Sequence, residues 1–133
     1  MSKMKIALAT DDGETFIKRH FGDANLYKIY EIDKNGEKLI KTIDNTVDEE
    51  EDVHADPKKA RGIAKLLKQE GVQVVVNKTF GPNIKRIKKK FVCIVTGKDP
   101  LDEGLQQIRD NFDRVGAEWE KGAQRKHLVL RGK

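Results

Sequence analysis

Cysteine is nearly absent from this chain of 133 residues, which contains only Cys93. A single cysteine excludes an internal disulfide bond. It also excludes an iron–sulfur site built from the chain's own thiolates, because such sites take several cysteines. Cys93 lies in the apolar run of residues 91–95, which predicts a buried structural thiol. Any metal cluster bound here must arrive preassembled or be held by other ligands.

Long apolar runs are also missing. No run approaches the ~18 residues that span a bilayer, and residues 1–5 lead directly into a short strand-like run without the apolar stretch of a signal peptide. We therefore expect a soluble, cytoplasmic protein with no membrane partner. The length suits one domain with one hydrophobic core and is too short for two ordinary domains.

The charge of the chain has a modest bias. Lysine and arginine exceed the acidic residues by 27 to 22, which gives a net charge of +5. Such a balance favours anionic partners without choosing among nucleic acid, phosphate and an anionic cluster.

The first half of the chain predicts three strands and a loop. Residues 5–10 form an apolar run that Asp11-Asp12-Gly13 ends as a turn. Residues 26–32 and 38–43 are rich in β-formers and are joined through Asn35-Gly36, which predicts a hairpin. Residues 44–57 include the acidic run 48–52 and no periodic apolar pattern, so we expect a solvated loop there.

Proline is scarce, and each of the three prolines precedes a predicted helix. The helix after Asp56-Pro57 runs to Gly71, a second begins at Pro82, and a third begins at Pro100. Between them, residues 72–76 and 91–95 are apolar, β-branched runs typical of strands covered on both faces.

This order, β-ββ-α-β-α-β-α, predicts an α/β fold with helices on both faces of a mixed sheet, that is, a three-layer α/β/α domain. The first, fourth and fifth strands should be central and parallel. We assign residues 1–114 to this domain. Residues 115–133 form a C-terminal extension that Trp119 could hold against it, and residues 127–130 could add an edge strand or remain a tail.

Ligands of open α/β sheets bind beyond the carboxyl ends of the strands. Three loops of this chain should meet there. They hold Thr10 and Asp11 after the first strand, Thr79 and Gly81 after the fourth, and Thr96 after the fifth. Two of the loops lead to helix starts, at Pro82 and Pro100, where backbone N–H groups favour an anion. The sequence therefore predicts an anion-binding crevice.

Two histidines lie in predicted loops near this edge. His20 precedes Phe21 and Gly22, and a histidine beside a glycine is free to present its imidazole to a ligand. His54 lies between the acidic run and the first helix. Taken alone, both are also compatible with an incidental surface role.

The order of several motifs resembles the dinitrogenase iron-molybdenum cofactor biosynthesis family. The opening MKIALATDDG is followed by HFG at residues 20–22 and YKIYEID at 27–33. Later, ARGIAKLL at 60–67, GVQVVV at 71–76 and FGPN at 80–83 are similar to that family's helix, strand and Gly-Pro turn. The resemblance extends over roughly residues 4–110.

The resemblance implies a ribonuclease H-like fold and a carrier protein, not an enzyme, that binds an iron–sulfur or iron-molybdenum cluster or a related anion. The cluster need not stay bound through purification, and a donor or acceptor protein would be the partner. His20 and His54 would be the metal ligands. The remaining cofactor-binding residues would be Thr10, Asp11, Phe21, Gly22, Thr79, Gly81, Pro82 and Thr96.

The chain departs from the family's pattern in two places. Ala55-Asp56-Pro57-Lys58 replaces glycines after His54, and Asn77-Lys78-Thr79 stands where small residues are common. The first replacement argues against a close approach of the helix backbone to a cluster, and the second implies a pocket that is narrower, more basic or suited to a different ligand.

Two alternatives remain open from the residues alone. Asp11 and Asp12 could begin the carboxylate set of a metal-dependent nuclease. The basic cluster of residues 85–90 could contact nucleic acid, although Ile84 and Ile87 mark it as the solvated face of a helix, and no aromatic residues are interleaved for base stacking. The sequence does not determine the oligomeric state.

Overall fold

The computed structural model describes residues 2–45 and 56–131, except for the side chains of residues 56–61. His54 and the acidic run 48–52, for which the sequence predicted a ligand and a loop, lie outside the described residues. The strands are β1 (Met4–Thr10), β2 (Leu26–Asp33), β3 (Gly36–Asp44), β4 (Val74–Asn77), β5 (Val92–Thr96) and β6 (Leu128–Leu130). The helices are α1 (Asp56–Gln69), α2 (Ile84–Ile87), α3 (Leu101–Asp110) and α4 (Phe112–Trp119).

The strands form one mixed sheet in the order β3-β2-β1-β4-β5-β6. β1, β4, β5 and β6 are parallel, and β2 is antiparallel to both of its neighbours. This confirms the predicted α/β class with β1, β4 and β5 at the centre. The elements follow the predicted order as far as α3, and then α4 and β6 are added. The ribonuclease H-like name for this arrangement stays a prediction.

Helices cover both faces of the sheet, because the central strands bury side chains on each side. On one face, α3 and α4 pack on alternate residues of the central strands. Those residues are Ile6, Leu8, Val74, Val76, Val92 and Ile94, which the sequence placed in the core. On the other face, α1 and Ile87 of α2 pack on the intervening residues, among them Ala7, Val75 and Cys93. The three-layer architecture is therefore observed.

The C-terminal segment completes the parallel edge of the sheet. The predicted division between residues 114 and 115 falls within α4, and Val115, Leu128 and Leu130 are buried in the same core cluster as α3. Leu128–Leu130 pairs with β5 as β6, so the alternative of an edge strand is the one observed. Arg125 lies over the Trp119 ring, 4.1 Å from its centroid, and donates a hydrogen bond to the Lys89 carbonyl at 3.0 Å.

The outer strand β3 contains a bulge. Ile29 pairs with Lys41, and the next residue, Tyr30, pairs with Leu39, so Ile40 is the inserted residue. Because side chains alternate between the two faces of a strand, one extra residue reverses which residues face which layer. Accordingly, Glu37 forms an ion pair with Arg109 of α3, while Lys41 forms one with Glu70 beyond α1.

Candidate functional site

The loop after β1 crosses the carboxyl edge of the sheet. Leu101 donates a backbone hydrogen bond to the Glu14 carbonyl, and Phe16 donates one to the Asp99 carbonyl, both at 2.9 Å. The Phe16 ring is buried against Gly104, where a Cβ would overlap it. The space predicted between Thr10 and Thr96 is therefore crossed by the chain's own backbone. The accessible part of the edge lies at the C-terminal end of this loop, around His20.

Asp11 holds both ends of the turn that contains His20. Its carboxylate accepts two hydrogen bonds from the Arg19 guanidinium, at 2.8 and 3.1 Å, and one from the Asn25 backbone N–H at 2.9 Å. The hydrogen bond from Arg19 lowers the pKa of Asp11, so the carboxylate stays ionised near neutral pH. Asp11 thus holds the loop in its conformation.

Asp12 closes the turn that follows β1. Its Oδ1 accepts hydrogen bonds from the backbone N–H groups of Glu14 and Thr15, each at 2.8 Å. These hydrogen bonds lower the pKa of Asp12 to about 2, and the bond from Glu14 has the largest effect. Thr10 is buried, and its hydroxyl oxygen accepts from the Gly13 N–H at 2.9 Å. The sequence interpretation of this segment as turn chemistry agrees with these contacts.

Asn77, at the end of β4, ties the loop to the sheet. Its side chain is fully buried. The amide oxygen accepts from the Ile17 N–H at 3.2 Å, and the amide nitrogen donates to the carbonyls of Arg19 at 2.9 Å and Thr79 at 3.0 Å. One buried amide therefore fixes the backbone on both sides of the turn, and a buried polar group of this kind is retained only when it is satisfied.

Phe21 anchors the same turn from below. Its ring lies 5.2 Å from the Phe80 ring in a stacked arrangement and 5.1 Å from the Tyr27 ring. Its backbone N–H donates to the Thr79 carbonyl at 3.0 Å, and its carbonyl accepts from the Tyr27 hydroxyl at 2.7 Å. Asn45 adds a hydrogen bond to the Gly22 carbonyl at 3.1 Å. The backbone around His20 is thus held from four separate segments.

The imidazole of His20 lies against the Cα of Gly81. A Cβ at Gly81 would overlap ring atoms Nδ1, Cε1 and Cγ of His20, and Gly81 has a φ of +67°, which also favours glycine. His20 is exposed, and neither ring nitrogen has a hydrogen-bond partner within residues 2–45 and 56–131. The structure therefore presents an accessible imidazole on a fixed backbone.

The structure brings together most of the predicted site residues, but not all. His20, Phe21, Gly22, Thr79 and Gly81 lie around one turn. Pro82 follows as an exposed residue in the 3₁₀ turn Gly81–Asn83. Thr10 and Asp11 support the turn from β1, as described above.

Thr96 lies apart from this turn, on the α3 side of the sheet. Its hydroxyl is buried and donates to the Gln107 side-chain oxygen at 2.6 Å. Gln107 in turn donates to the Leu130 carbonyl at 3.0 Å, so Thr96 helps to position β6.

The helix starts contribute less positive potential than the sequence suggested. Pro82 leads into α2, which has only four residues. At the start of α3, the Leu101 N–H is already bonded to Glu14, and Asp102 and Glu103 lie in its first turn. Carboxylates there offset the helix dipole that an anion would use.

Other metal donors are scarce among the residues that the structure describes. No cluster of three or more histidine, cysteine or acidic side chains that could hold a metal ion occurs there. Cys93 is fully buried, and burial raises its pKa to about 12, so it stays a thiol. The carboxylates of Asp11 and Asp12 are engaged as described, which gives the nuclease alternative no support.

Sequence reasoning missed the role of Asn77 and of the glycine beside the imidazole. Asn77 was interpreted only as a bulky replacement in a pocket, and Gly81 as a cofactor-binding residue in a turn, without its contact with the His20 ring. One signal was present: a polar amide at the end of an otherwise β-branched run, where a buried strand meets a loop, has to find partners. The identity of those partners depends on tertiary contacts that no local pattern contains.

The geometry defines a small α/β protein that presents a histidine at the carboxyl edge of a mixed sheet. A family model, dinitrogenase iron-molybdenum cofactor, matches residues 2–111. The chain belongs to this family, which links it to the handling of the iron-molybdenum cofactor.

Structural comparison agrees at the level of fold. The NMR structure of a provisionally assigned dinitrogenase from Methanococcus jannaschii is similar, with a TM-score of 0.58 and 22% sequence identity. The match covers 84% of this chain and 92% of that one. No curated protein matches the chain. Within the described residues, no helix is long and apolar enough to cross a membrane.

Proposed function

We propose that this protein is a carrier, not an enzyme, that binds a preassembled iron–sulfur or iron-molybdenum type cluster through His20 and passes it between a donor and an acceptor protein. The observation that supports the proposal is the accessible imidazole, which lies over Gly81 on a turn held by Asp11, Asn77 and the Phe21 anchor. Sites that bind through few contacts depend on such a prearranged geometry.

The donor set suits a cluster better than a bare metal ion. The described part of the chain has two exposed imidazoles, those of His20 and His127, and no accessible thiolate. His127 precedes β6 at the amino end of the strand, so His20 is the exposed imidazole at the carboxyl edge, whereas protein sites for single transition-metal ions use several side chains. A preassembled cluster brings its own sulfide ligands, so one protein ligand can complete an open position. A single ligand also allows release, which a carrier requires.

Charge near His20 is positive but partly compensated. Lys18 and Arg19 precede it, Arg19 is bound to Asp11, and Lys78 contacts the Asp99 carboxylate. Lys18, two residues before His20, is an exposed cation that an anionic cluster could contact, and its charge also acts on the Asp99 carboxylate. Such a contact assists binding without holding the ligand tightly.

Anaerobic reconstitution with a cluster donor tests the proposal. We expect His20→Ala to lower cluster uptake by about tenfold or more, on the scale seen when the contacts of a metal site are lost. His127→Ala is the matched control, because His127 is also exposed and lies in the C-terminal segment. His54→Ala belongs in the same series, since the family resemblance names His54 as a second ligand.

Thermal melts of each variant separate a lost ligand from lost structure. A His20→Ala protein that melts like the parent and takes up clusters equally well would remove His20 from the ligand set. Absorption spectra of the loaded parent protein and of the His20 variant then report whether an imidazole coordinates the metal.

A further inference from the structure

The outer surface of α1 and α2 is unusually basic. Residues 62–69 and 84–90 contain seven cations and no aspartate or glutamate. Six of the seven side chains are exposed, and Lys88 is half-buried. We refer to these residues as the basic face: Lys65, Lys68, Lys85, Arg86, Lys88, Lys89 and Lys90.

The two helices lie next to each other over a shared apolar crevice. Ile63, Ala64 and Leu67 of α1 line the same narrow crevice as Ile87 of α2 and Phe91. The ammonium of Lys68 lies 5.7 Å from the centroid of the Phe91 ring. From the other side, Arg125 binds the Lys89 carbonyl and so fixes the turn after α2. The two segments that carry the seven cations are therefore neighbours in the structure.

The cations of this surface lack ion-pair partners in the described part of the chain. Among the sixteen other cations whose side chains the structure describes, eight are paired with carboxylates, as in Lys3 with Glu31, Lys34 with Asp113 and Lys41 with Glu70. None of the seven cations of the basic face forms an ion pair with a carboxylate of residues 2–45 or 62–131. The basic face thus carries seven positive charges that no carboxylate of these described residues neutralises.

Helix dipoles explain only part of the pattern. Lys68, Lys85 and Arg86 lie in the last turns of α1 and α2, where a cation is favourable. Lys88, Lys89 and Lys90 follow the end of α2 as three consecutive cations, and placing them together raises their mutual repulsion. A surface of this kind is stabilised when an anionic partner covers it.

The composition of the basic face favours an acidic protein over nucleic acid. The rings beside it are not available for base stacking, because Phe91 is fully buried and Trp119 is covered by Arg125 and Lys68. Six of the seven cations are lysines, which act as flexible point charges and lack the planar fork that arginine offers to phosphate. Lys65 and Lys68 lie in the second half of α1, Lys88, Lys89 and Lys90 follow α2, and α2 has only four residues, so no long helix directs its N-terminal N–H groups at the face.

We propose that the basic face is an electrostatic docking surface for an acidic protein. It does not include His20, so it does not depend on the carrier function proposed above. A patch of unpaired lysines increases the rate of encounter with an oppositely charged surface and leaves the complex sensitive to salt. Transient docking of this type suits a protein that meets more than one partner.

Fluorescence titration with labelled poly-L-glutamate tests the proposal on the full-length protein without a cluster. The test variant replaces five cations of the basic face by glutamine, at Lys85, Arg86, Lys88, Lys89 and Lys90. The control replaces five exposed cations elsewhere, at Lys3, Lys34, Lys38, Arg114 and Arg131, and therefore has the same net charge. A 25-base-pair DNA duplex serves as the competing probe.

We expect the parent to bind polyglutamate with an affinity that falls steeply with salt, the test variant to bind about tenfold more weakly, and the control to bind like the parent. Equal losses in both variants would show a general effect of net charge and overturn the proposal. Tighter binding of the duplex than of polyglutamate at physiological salt would assign the face to nucleic acid instead. Unchanged polyglutamate binding by His20→Ala separates this result from the outcome of cluster reconstitution.

Discussion

The buried amide of Asn77 offers a direct test of how the candidate site is held. Asn77→Ala removes three hydrogen bonds, one accepted from Ile17 and two donated to Arg19 and Thr79. Ile17 is only 4% exposed, so its N–H is left without a partner, which costs roughly 1–3 kcal/mol. The other two carbonyls belong to exposed or half-buried residues that water can reach. We therefore expect a total loss of roughly 2–4 kcal/mol.

Urea unfolding measures this loss. A decrease of this size moves the midpoint by about 1–2 M for a protein with an ordinary denaturant slope. Asn111→Ala is a suitable control, because Asn111 is half-buried and donates a single side-chain hydrogen bond, to the Gln107 carbonyl. A change below about 1 kcal/mol for Asn77→Ala, with the His20 ring signals unmoved, would refute our account of the loop.

Asn77→Asp adds a test in which the direction of the pH dependence of stability is predicted. The oxygen that accepts from Ile17 is retained, but a carboxylate oxygen then faces the carbonyls of Arg19 and Thr79. Burial and these carbonyls disfavour the charged form, so the pKa of the introduced carboxyl rises in the folded state. The variant should be closest to the parent below the unfolded pKa and should lose stability as pH rises through the folded pKa. Its stability is best compared with that of Asn77→Ala at the same pH.

Three further outcomes follow from the structure. Leu105→Ala should destabilise the fold by roughly 2–5 kcal/mol in urea unfolding, because Leu105 is 2% exposed under α3, and a neutral result would contradict its placement. Gly81→Ala should displace the His20 ring in NMR spectra and reduce cluster uptake, whereas Gly13→Ala, with a φ of +82° and open space around it, should show backbone strain alone. The pKa of Asp12 is lowered to about 2, so its carboxylate stabilises the fold above pH 3.8. In an acid titration the parent should lose this stability as pH falls towards 2, and Asp12→Asn, which has no carboxylate there, should lack this part of the pH dependence.

The central architecture could be predicted because it depends on local patterns. Short apolar and β-branched runs identified β1, β4 and β5, and each of the three prolines marked a helix start. The end of the chain was harder to predict. β6 has only three residues, and its pairing depends on the side chain of Gln107, which binds both Thr96 and the Leu130 carbonyl. Contacts between distant segments of this kind leave no periodic signal.

The candidate site shows the same limit. Motif order and the neighbouring Gly22 predicted that His20 lies in a loop at this edge, but the partners of Asn77 and the course of residues 14–17 across the edge depend on tertiary structure. The predicted crevice assumed that the strand ends were open to solvent. Phe16 instead lies there and is buried against Gly104, because the loop after β1 contains two apolar residues, Phe16 and Ile17, that leave water by turning inward.

The bulge at Ile40 also affects the tendency of the protein to self-associate through its exposed edge strand. An exposed outer strand of nine residues is a template on which another chain can add a strand, and Leu39 and Ile40 are exposed on it. The inserted residue interrupts the regular spacing of hydrogen-bonding groups, so an incoming straight strand finds no long matching register. The ion pairs of Glu37 and Lys41 to opposite helical layers hold the strand in this irregular shape. A single inserted residue thus protects the open edge of the sheet against aggregation.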